Sequence, residues 1–286
     1  MGRVRHRPAS QPKPQKETPA MSDALLFEKN GPVVTLTINR PEIRNPLGAA
    51  DDPENFTKAA AAINADRSVR CVILTGAGKA FSAGGNVKAM KEGTDGFGGA
   101  GVHIREHYRT GIHRIVRSVW GIEVPVIAAV NGPAIGLGND VACLCDTRIA
   151  ADTAIFGATF LKIGLIPGDG GAWLLPRIIG MARASELLYT GDTIDAATAK
   201  SWGLVSDVVP AAELMDRART QAAKICGQAP DVLRMTKQLL RQGMMQSFDN
   251  IMELSASMQA LAHHTADHQE ALDAFFEKRP GVYKGE

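Results

Sequence analysis

Two glycine-rich loops constrain this chain more than any other feature. The first, GAGKAFSAGGN at 76–86, follows the apolar run RCVILT at 70–75. The second, NGPAIGLGND at 131–140, follows VIAAV at 126–130. Each leads from a buried strand towards a helix, and glycine there lets the backbone turn sharply or approach another segment closely. Such junctions leave backbone N–H groups free at a helix N-terminus, where the helix dipole favours negative charge.

The rest of the chain supplies a scaffold for those loops. Val33 to Ile38 (VVTLTI) alternates β-branched residues after Gly31-Pro32 and predicts a strand. Asp52 to Ala62 is Ala-rich and suits a helix. Ile112, Ile115, Val116 and Val119 place one buried face on a helix over 104–120. Residues 93–101 hold five glycines in nine positions and are expected to be mobile. A short helix through Cys145 precedes strands at 147–151 and 154–156, and 211–278 reads as almost wholly helical. Strands first and helices last predict an α/β core with a C-terminal helical region. The boundaries expected are a tail at 1–21, a core at 22–210 and a helical region at 211–286.

Composition removes several function classes. The net charge of +2 hides a tail in which Arg3, Arg5, Arg7, Lys13 and Lys16 face only Glu17, leaving the remaining chain at −2. That body has no basic signature for nucleic acid. The tail, rich in Pro, Gln and Arg, reads as disordered or as an over-extended start ahead of Met21. Its acid-poor composition also admits a transit peptide. No apolar run approaches the roughly 18 residues that span a bilayer, so no membrane partner is expected. The cysteines, Cys71, Cys143, Cys145 and Cys226, match no zinc framework and imply reduced thiols in a cytoplasmic setting.

Three chemical readings of the loops compete with the plain one, that they are only tight turns. A nucleotide site fits poorly: a P-loop would need glycine at Ile73 and Ser or Thr at Ala80, and a dinucleotide fingerprint would need glycine at Val141. A serine hydrolase would use Ser82, since Ala80-Phe-Ser82-Ala-Gly84 is one residue from GxSxG, with His263, His264 and His268 downstream. A nucleophile elbow, however, needs the strand to run straight into the serine. The third reading joins both loops into one oxyanion hole, two N–H donors from separate segments converging on one oxygen.

The segments GKAFSAGGNVKAM and PVIAAVNGPAIGLGNDVACLCDTRIAA resemble the crotonase, or enoyl-CoA hydratase/isomerase, family. The motifs NRPEIRN at 39–45, FGATFLKIGLIPGDGG at 156–171, GLVSDVV at 203–209 and FFEKRPGVYKG near the end extend the resemblance over about residues 25–285. It implies a spiral core of ββα units with a C-terminal helical trimerisation region, and a homotrimer or dimer of trimers. It also implies an acyl-CoA substrate, with no cofactor beyond coenzyme A and no metal. By similarity the N–H groups of Ala83 and Leu137 form the oxyanion hole. Arg44, Asn45, Gly84, Gly85, Asn86, Val87 and Gly136 wall the coenzyme A and substrate site, and Phe275 and Lys278 reach the adenine end.

Hydratases of the family position water with two glutamates, and here those positions read Asp140 and Phe160. Phenylalanine transfers no proton, so the two-glutamate mechanism is absent as drawn. Isomerisation, or a specialised hydration or C–C cleavage, is the expectation. Asp169, in Pro167-Gly-Asp-Gly-Gly, lies where some isomerase and dehalogenase-like members carry a catalytic aspartate, displaced by one residue. Asp140 and Asp169 each stand at a helix start, so each reads as an acid/base or as a helix cap, the two readings balanced at Asp169 and the acid/base role preferred at Asp140. The i, i+4 pairs His103/His107 and His264/His268 suit a solvated helix face better than a metal, with an acid/base role for His103 or His107 a further option. The alternatives to an enzyme of this family are a catalytically silent acyl-CoA-binding homologue and the Ser82 hydrolase.

Overall fold

The computed structural model describes residues 21–286; all of the expected tail but Met21, which packs against the core, therefore lies outside the described residues. Eleven strands are β1 (Leu25–Asn30), β2 (Val33–Ile38), β3 (Pro46–Leu47), β4 (Cys71–Gly76), β5 (Gly84–Gly85), β6 (Val126–Val130), β7 (Ala134–Ile135), β8 (Thr147–Ala151), β9 (Ile155–Gly157), β10 (Thr193–Asp195) and β11 (Asp207–Val209). The principal sheet runs β1-β2-β4-β6-β8-β11. Only the β1–β2 hairpin is antiparallel; every later pairing is parallel. A second sheet has the order β10-β9-β7, and β3 pairs with β5.

Helices α1 (Asp52–Ala65), α2 (Val87–Glu92), α3 (Gly101–His107), α4 (His113–Trp120), α5 (Leu137–Leu144), α6 (Gly171–Ile179), α7 (Met181–Thr190) and α8 (Ala196–Trp202) connect the strands. After a 3₁₀ turn at Ala211–Glu213, every remaining element is helical: α9 (Leu214–Cys226), α10 (Pro230–Gly243), α11 (Phe248–His263) and α12 (Ala266–Glu277).

The central strands are buried along their whole length, as strands covered on both faces must be. Alternate residues feed two cores. Val72, Leu74, Val126, Ala128 and Val130 join the larger cluster with Phe56, Ile115 and Val141. Cys71, Ile73, Ile127, Ala129 and Ile149 face the other way, against Leu214, Ala218, Ala222 and Cys226 of α9. The helical region from 211 thus divides physically: α9 lies on the sheet, while α10–α12 extend beyond it.

One local expectation changes. The helix expected over 104–120 is broken by a π-helical turn at Tyr108–Ile112 between α3 and α4. Such a turn inserts a residue into the helical repeat and re-aims the side chains on either side. The glycine stretch at 93–101 makes defined contacts. Phe97 packs on the core with its ring 4.8 Å from that of His107, and a side chain on Gly96 would collide with the His107 ring. No helix among the described residues is long and apolar enough to cross a membrane.

Candidate active site

Because β4 and β6 are parallel neighbours, the loops after them leave the same edge of the sheet. Ser82 bridges to Ala134, the Ile135 N–H donates to the Ser82 carbonyl at 3.0 Å, and the Phe81 and Ser82 N–H groups both reach the Pro133 carbonyl. Asn131 ties the loops again: its Nδ2 donates to the Gly78 and Ala80 carbonyls, and its Oδ1 accepts from the Gly76 N–H. Gly84 has φ +86°, and a Cβ there would strike the Ile135 carbonyl oxygen and lie 3.4 Å from the Leu137 nitrogen. Only glycine lets the first loop come so close to the start of α5.

Gly136 caps α5, so the Leu137 N–H stands at its first position, with no carbonyl one turn back in the helix to receive it. At the other end of α5, Arg148 donates to the Ala142, Cys143 and Cys145 carbonyls. The helix is thereby fixed at its C-terminus and open at its N-terminus, where its dipole favours a developing oxyanion. Ala83, the other expected donor, requires a correction. Its N–H donates to the Arg44 carbonyl at 2.9 Å, and the next N–H, of Gly84, goes to Ser82 Oγ. The left-handed conformation of Arg44 (φ 64°), which neither loop sequence signals, turns that carbonyl inwards.

Asn45 is corrected too. It is fully buried, its Oδ1 accepting from the Arg40 N–H and its Nδ2 donating to the Ala77 and Ala80 carbonyls. With every polar atom engaged, it braces the first loop and has nothing left for a ligand. Arg44 is exposed, and Asn86 caps α2 by accepting from the Ala89 N–H at 3.1 Å. Phe275 and Lys278 are exposed at the end of α12 and border neither of the cavities described below.

A cavity of about 50 Å³ opens where the loops meet, lined by Ala83, Gly85, Gly136, Leu137, Phe160 and Asp169 among others. The Phe160 ring lies over Gly136, its Cε1 and Cζ 3.8 Å from where a Cβ of that residue would stand. Asp169 is 6% exposed, and its Oδ1 is buried without a hydrogen-bond partner. It does not cap α6, whose cap residue is Gly170 with no side-chain bond. Asp140, wholly buried within α5, takes that role: its Oδ2 accepts from the Gly171 N–H at 2.9 Å.

Both carboxyls are pushed up. Burial, then the charge of Asp169, raises Asp140 to about 7 against the Gly171 hydrogen bond. Burial raises Asp169 to about 6, and the neighbouring His113 partly offsets it. His113 itself is steered by the π-helical turn, its Nε2 2.9 Å from the Gly168 carbonyl. Two neighbouring carboxyls, both raised towards neutrality, are an arrangement suited to proton transfer at neutral pH.

The sequence profile of the family described as Enoyl-CoA hydratase/isomerase matches residues 28–286. The chain belongs to the enoyl-CoA hydratase/isomerase family, within the crotonase superfamily. It is similar to the short-chain-enoyl-CoA hydratase of Clostridium acetobutylicum, at 37% identity over 89% of this chain and 95% of that one. The 1,2-epoxyphenylacetyl-CoA isomerase of Escherichia coli K12 is 34% identical over 93% and 100%. The crystal structure of an enoyl-CoA hydratase from Bacillus anthracis superposes with a TM-score of 0.86 at 36% identity, covering 92% of this chain and all of that one. The mixed α/β fold and the assignment as an enzyme, a lyase or isomerase of this family, stand on these matches.

The remaining sequence candidates lie elsewhere. Ser82 is completely buried with its Oγ accepting from the Gly84 N–H, and cannot reach a substrate carbonyl as a nucleophile. His263 and His268 pair with one another at 3.0 Å where α11 meets α12, so the Ser82 hydrolase is set aside. Among the lining of the two cavities His103 and His107 do not appear. Sequence reasoning missed Asn131 and Tyr108. Tyr108 lines the cavity, and its hydroxyl is pushed up by burial and by Asp169. Only the placement of Tyr108 beside the glycine stretch could have signalled it.

Proposed function

We propose that this enzyme acts on an acyl-CoA thioester through an enolate held at the N-terminus of α5, with Asp169 carrying the proton. Coenzyme A is the carrier, and no other cofactor or metal takes part. The Leu137 N–H, at the positive end of the α5 dipole, polarises the thioester carbonyl. Ionised Asp169 then takes a proton from C2 of a 3-enoyl thioester. The electron pair moves onto the thioester oxygen as a dienolate, and the same proton returns to C4, giving the 2-enoyl product. Asp140, its carboxyl pushed up by burial and by the charge of Asp169, keeps a second negative charge out of the site. Isomerisation, or a specialised hydration or C–C cleavage, is thereby favoured over two-glutamate hydration.

The observation that supports this reading is the unpartnered Asp169 Oδ1 on a cavity whose other wall is the apolar ring of Phe160. A homotrimer or dimer of trimers in the cytoplasm completes the proposal. Exposed Phe248, Leu261, Phe275 and Phe276 on α11 and α12 give such an assembly apolar surface to cover. The test is a product analysis with trans-3-hexenoyl-CoA and crotonyl-CoA. A double-bond shift with crotonyl-CoA hydration about a hundredfold slower is expected, and fast hydration overturns the preference. Asp169→Asn lowers the isomerisation rate by about 10²–10⁴, the usual worth of a general base; full activity in that variant removes Asp169 from the mechanism.

A further inference from the structure

A second cavity, of about 420 Å³, adjoins the first. Val87, Met90, Tyr108, Ile163 and Leu165 line both, so the two are chambers of one site. Beyond these shared residues the larger chamber is lined by Phe97 and Ile104, with Lys91 as its one charged residue. Tyr108 stands between the chambers because the π-helical turn begins with it. Its ring meets that of Phe97 edge-on at 6.2 Å. The small chamber holds Asp169 and the Leu137 N–H, and about 50 Å³ accommodates little more than the reacting carbons.

Val87, Ile163 and Leu165 are 51%, 46% and 36% exposed, unusual for large apolar residues that converge on one hollow. These surfaces extend past the small chamber into the larger one, so a short acyl group held beside Asp169 leaves them in water. From this we infer that the enzyme selects acyl-CoA thioesters with a bulky apolar tail beyond C4, seated past Tyr108 among Val87, Met90, Phe97, Ile104, Ile163 and Leu165. The inference rests on the acyl-CoA reading above and adds the class of acyl group. Aryl and straight alkyl tails share this chemistry, and the edge-on pair of Phe97 and Tyr108 offers an aryl ring a partner of the same geometry.

Affinity measured apart from turnover tests it. Calorimetry with butyryl-, octanoyl- and 4-phenylbutyryl-CoA reads the chamber directly, since none of the three is an enoyl substrate. Each methylene removed from water is worth about 0.8 kcal/mol, or about fourfold in affinity. With partial burial, octanoyl-CoA is expected to bind at least 20-fold tighter than butyryl-CoA. Phenylbutyryl-CoA binding tighter than octanoyl-CoA marks an aryl tail, and the reverse order an alkyl one. Ile104→Trp, which fills the chamber, is expected to reduce the octanoyl-to-butyryl ratio at least fivefold. Val87→Phe serves in its place if thermal melting shows that the first variant does not fold. Equal affinities for all three thioesters overturn the inference, even if isomerisation proceeds. A steep rise in affinity without turnover of any enoyl-CoA leaves the chamber standing and removes the catalytic reading. Absence of binding by all three overturns both.

Discussion

The carboxylate of Asp140 accepts the backbone N–H of Gly171 at 2.9 Å, joining the interior of α5 to the first turn of α6. A Cβ on Gly171 would stand 2.5 Å from Asp140 Oδ1. Gly171→Ala therefore must displace the carboxylate or the helix. A destabilisation of about 1–3 kcal/mol is expected, typical of overpacking in a rigid interior. Thermal or urea unfolding reads it, and an unchanged midpoint would show that α6 can move away freely.

The two raised carboxyls give stability a pH dependence of definite sign. Asp140 at about 7 and Asp169 at about 6 bind protons more tightly folded than unfolded, where the ordinary value is near 3.8. Their contribution is fully present below pH 4 and lost as pH rises to 7. Between pH 5 and 7.5 the midpoint of thermal unfolding should fall, by an amount on the order of a few kcal/mol in stability. Asp140→Asn should flatten that slope while keeping an oxygen for the Gly171 N–H. A slope unchanged in the variant assigns the effect to other groups.

Leu137 separates a backbone role from a side-chain one. Leu137→Ala keeps the N–H at the start of α5 and should retain most of kcat per folded molecule. Its buried side chain makes that variant about 2–5 kcal/mol less stable. Leu137→Pro removes the N–H at the one helical position where proline fits without losing an intrahelical bond. A loss of about 10²–10³ in kcat is expected, comparable with deletion of an oxyanion donor. Equal kcat in the alanine and proline variants would place the donor elsewhere.

Asn45 predicts a structural phenotype rather than a coenzyme A one. Asn45→Ala strands the half-buried Arg40 N–H and Ala77 carbonyl, and leaves the Ala80 carbonyl to Asn131 alone. A loss of roughly 2–4 kcal/mol is expected from one to two such groups. The Kd for coenzyme A, measured on the folded fraction, should change less than threefold. A Kd raised tenfold with unaltered stability would return Asn45 to the ligand.

The large features of this chain were legible because each carries a local signal. The runs at 33–38, 71–76, 126–130 and 147–151 are continuous or alternating apolar segments, and the sheet contains them nearly as expected. The strands β3, β5 and β7 were not legible, being two residues each and defined only by partners distant in the chain. The break at Tyr108–Ile112 was hidden for a related reason. Ile112, Ile115 and Val119 keep a helical spacing, and the extra residue shows only in how the turn packs.

At the site the division is sharper. The sequence by itself determined that two glycine loops would each follow a buried strand and that Phe160 offers no proton, since these follow from side-chain size and chemistry. It did not decide which backbone donors are open, because that depends on where the Arg44 carbonyl points, some forty residues from Ala83. Nor did it decide between Asp140 and Asp169 as cap or as the carboxylate facing the cavity. Both precede or enter a helix, and either could have capped α6. The tertiary structure gives the Gly171 N–H to Asp140 and leaves Asp169 Oδ1 unpaired. A hydrogen bond between segments distant in sequence has no local signature, so only the folded chain could assign it.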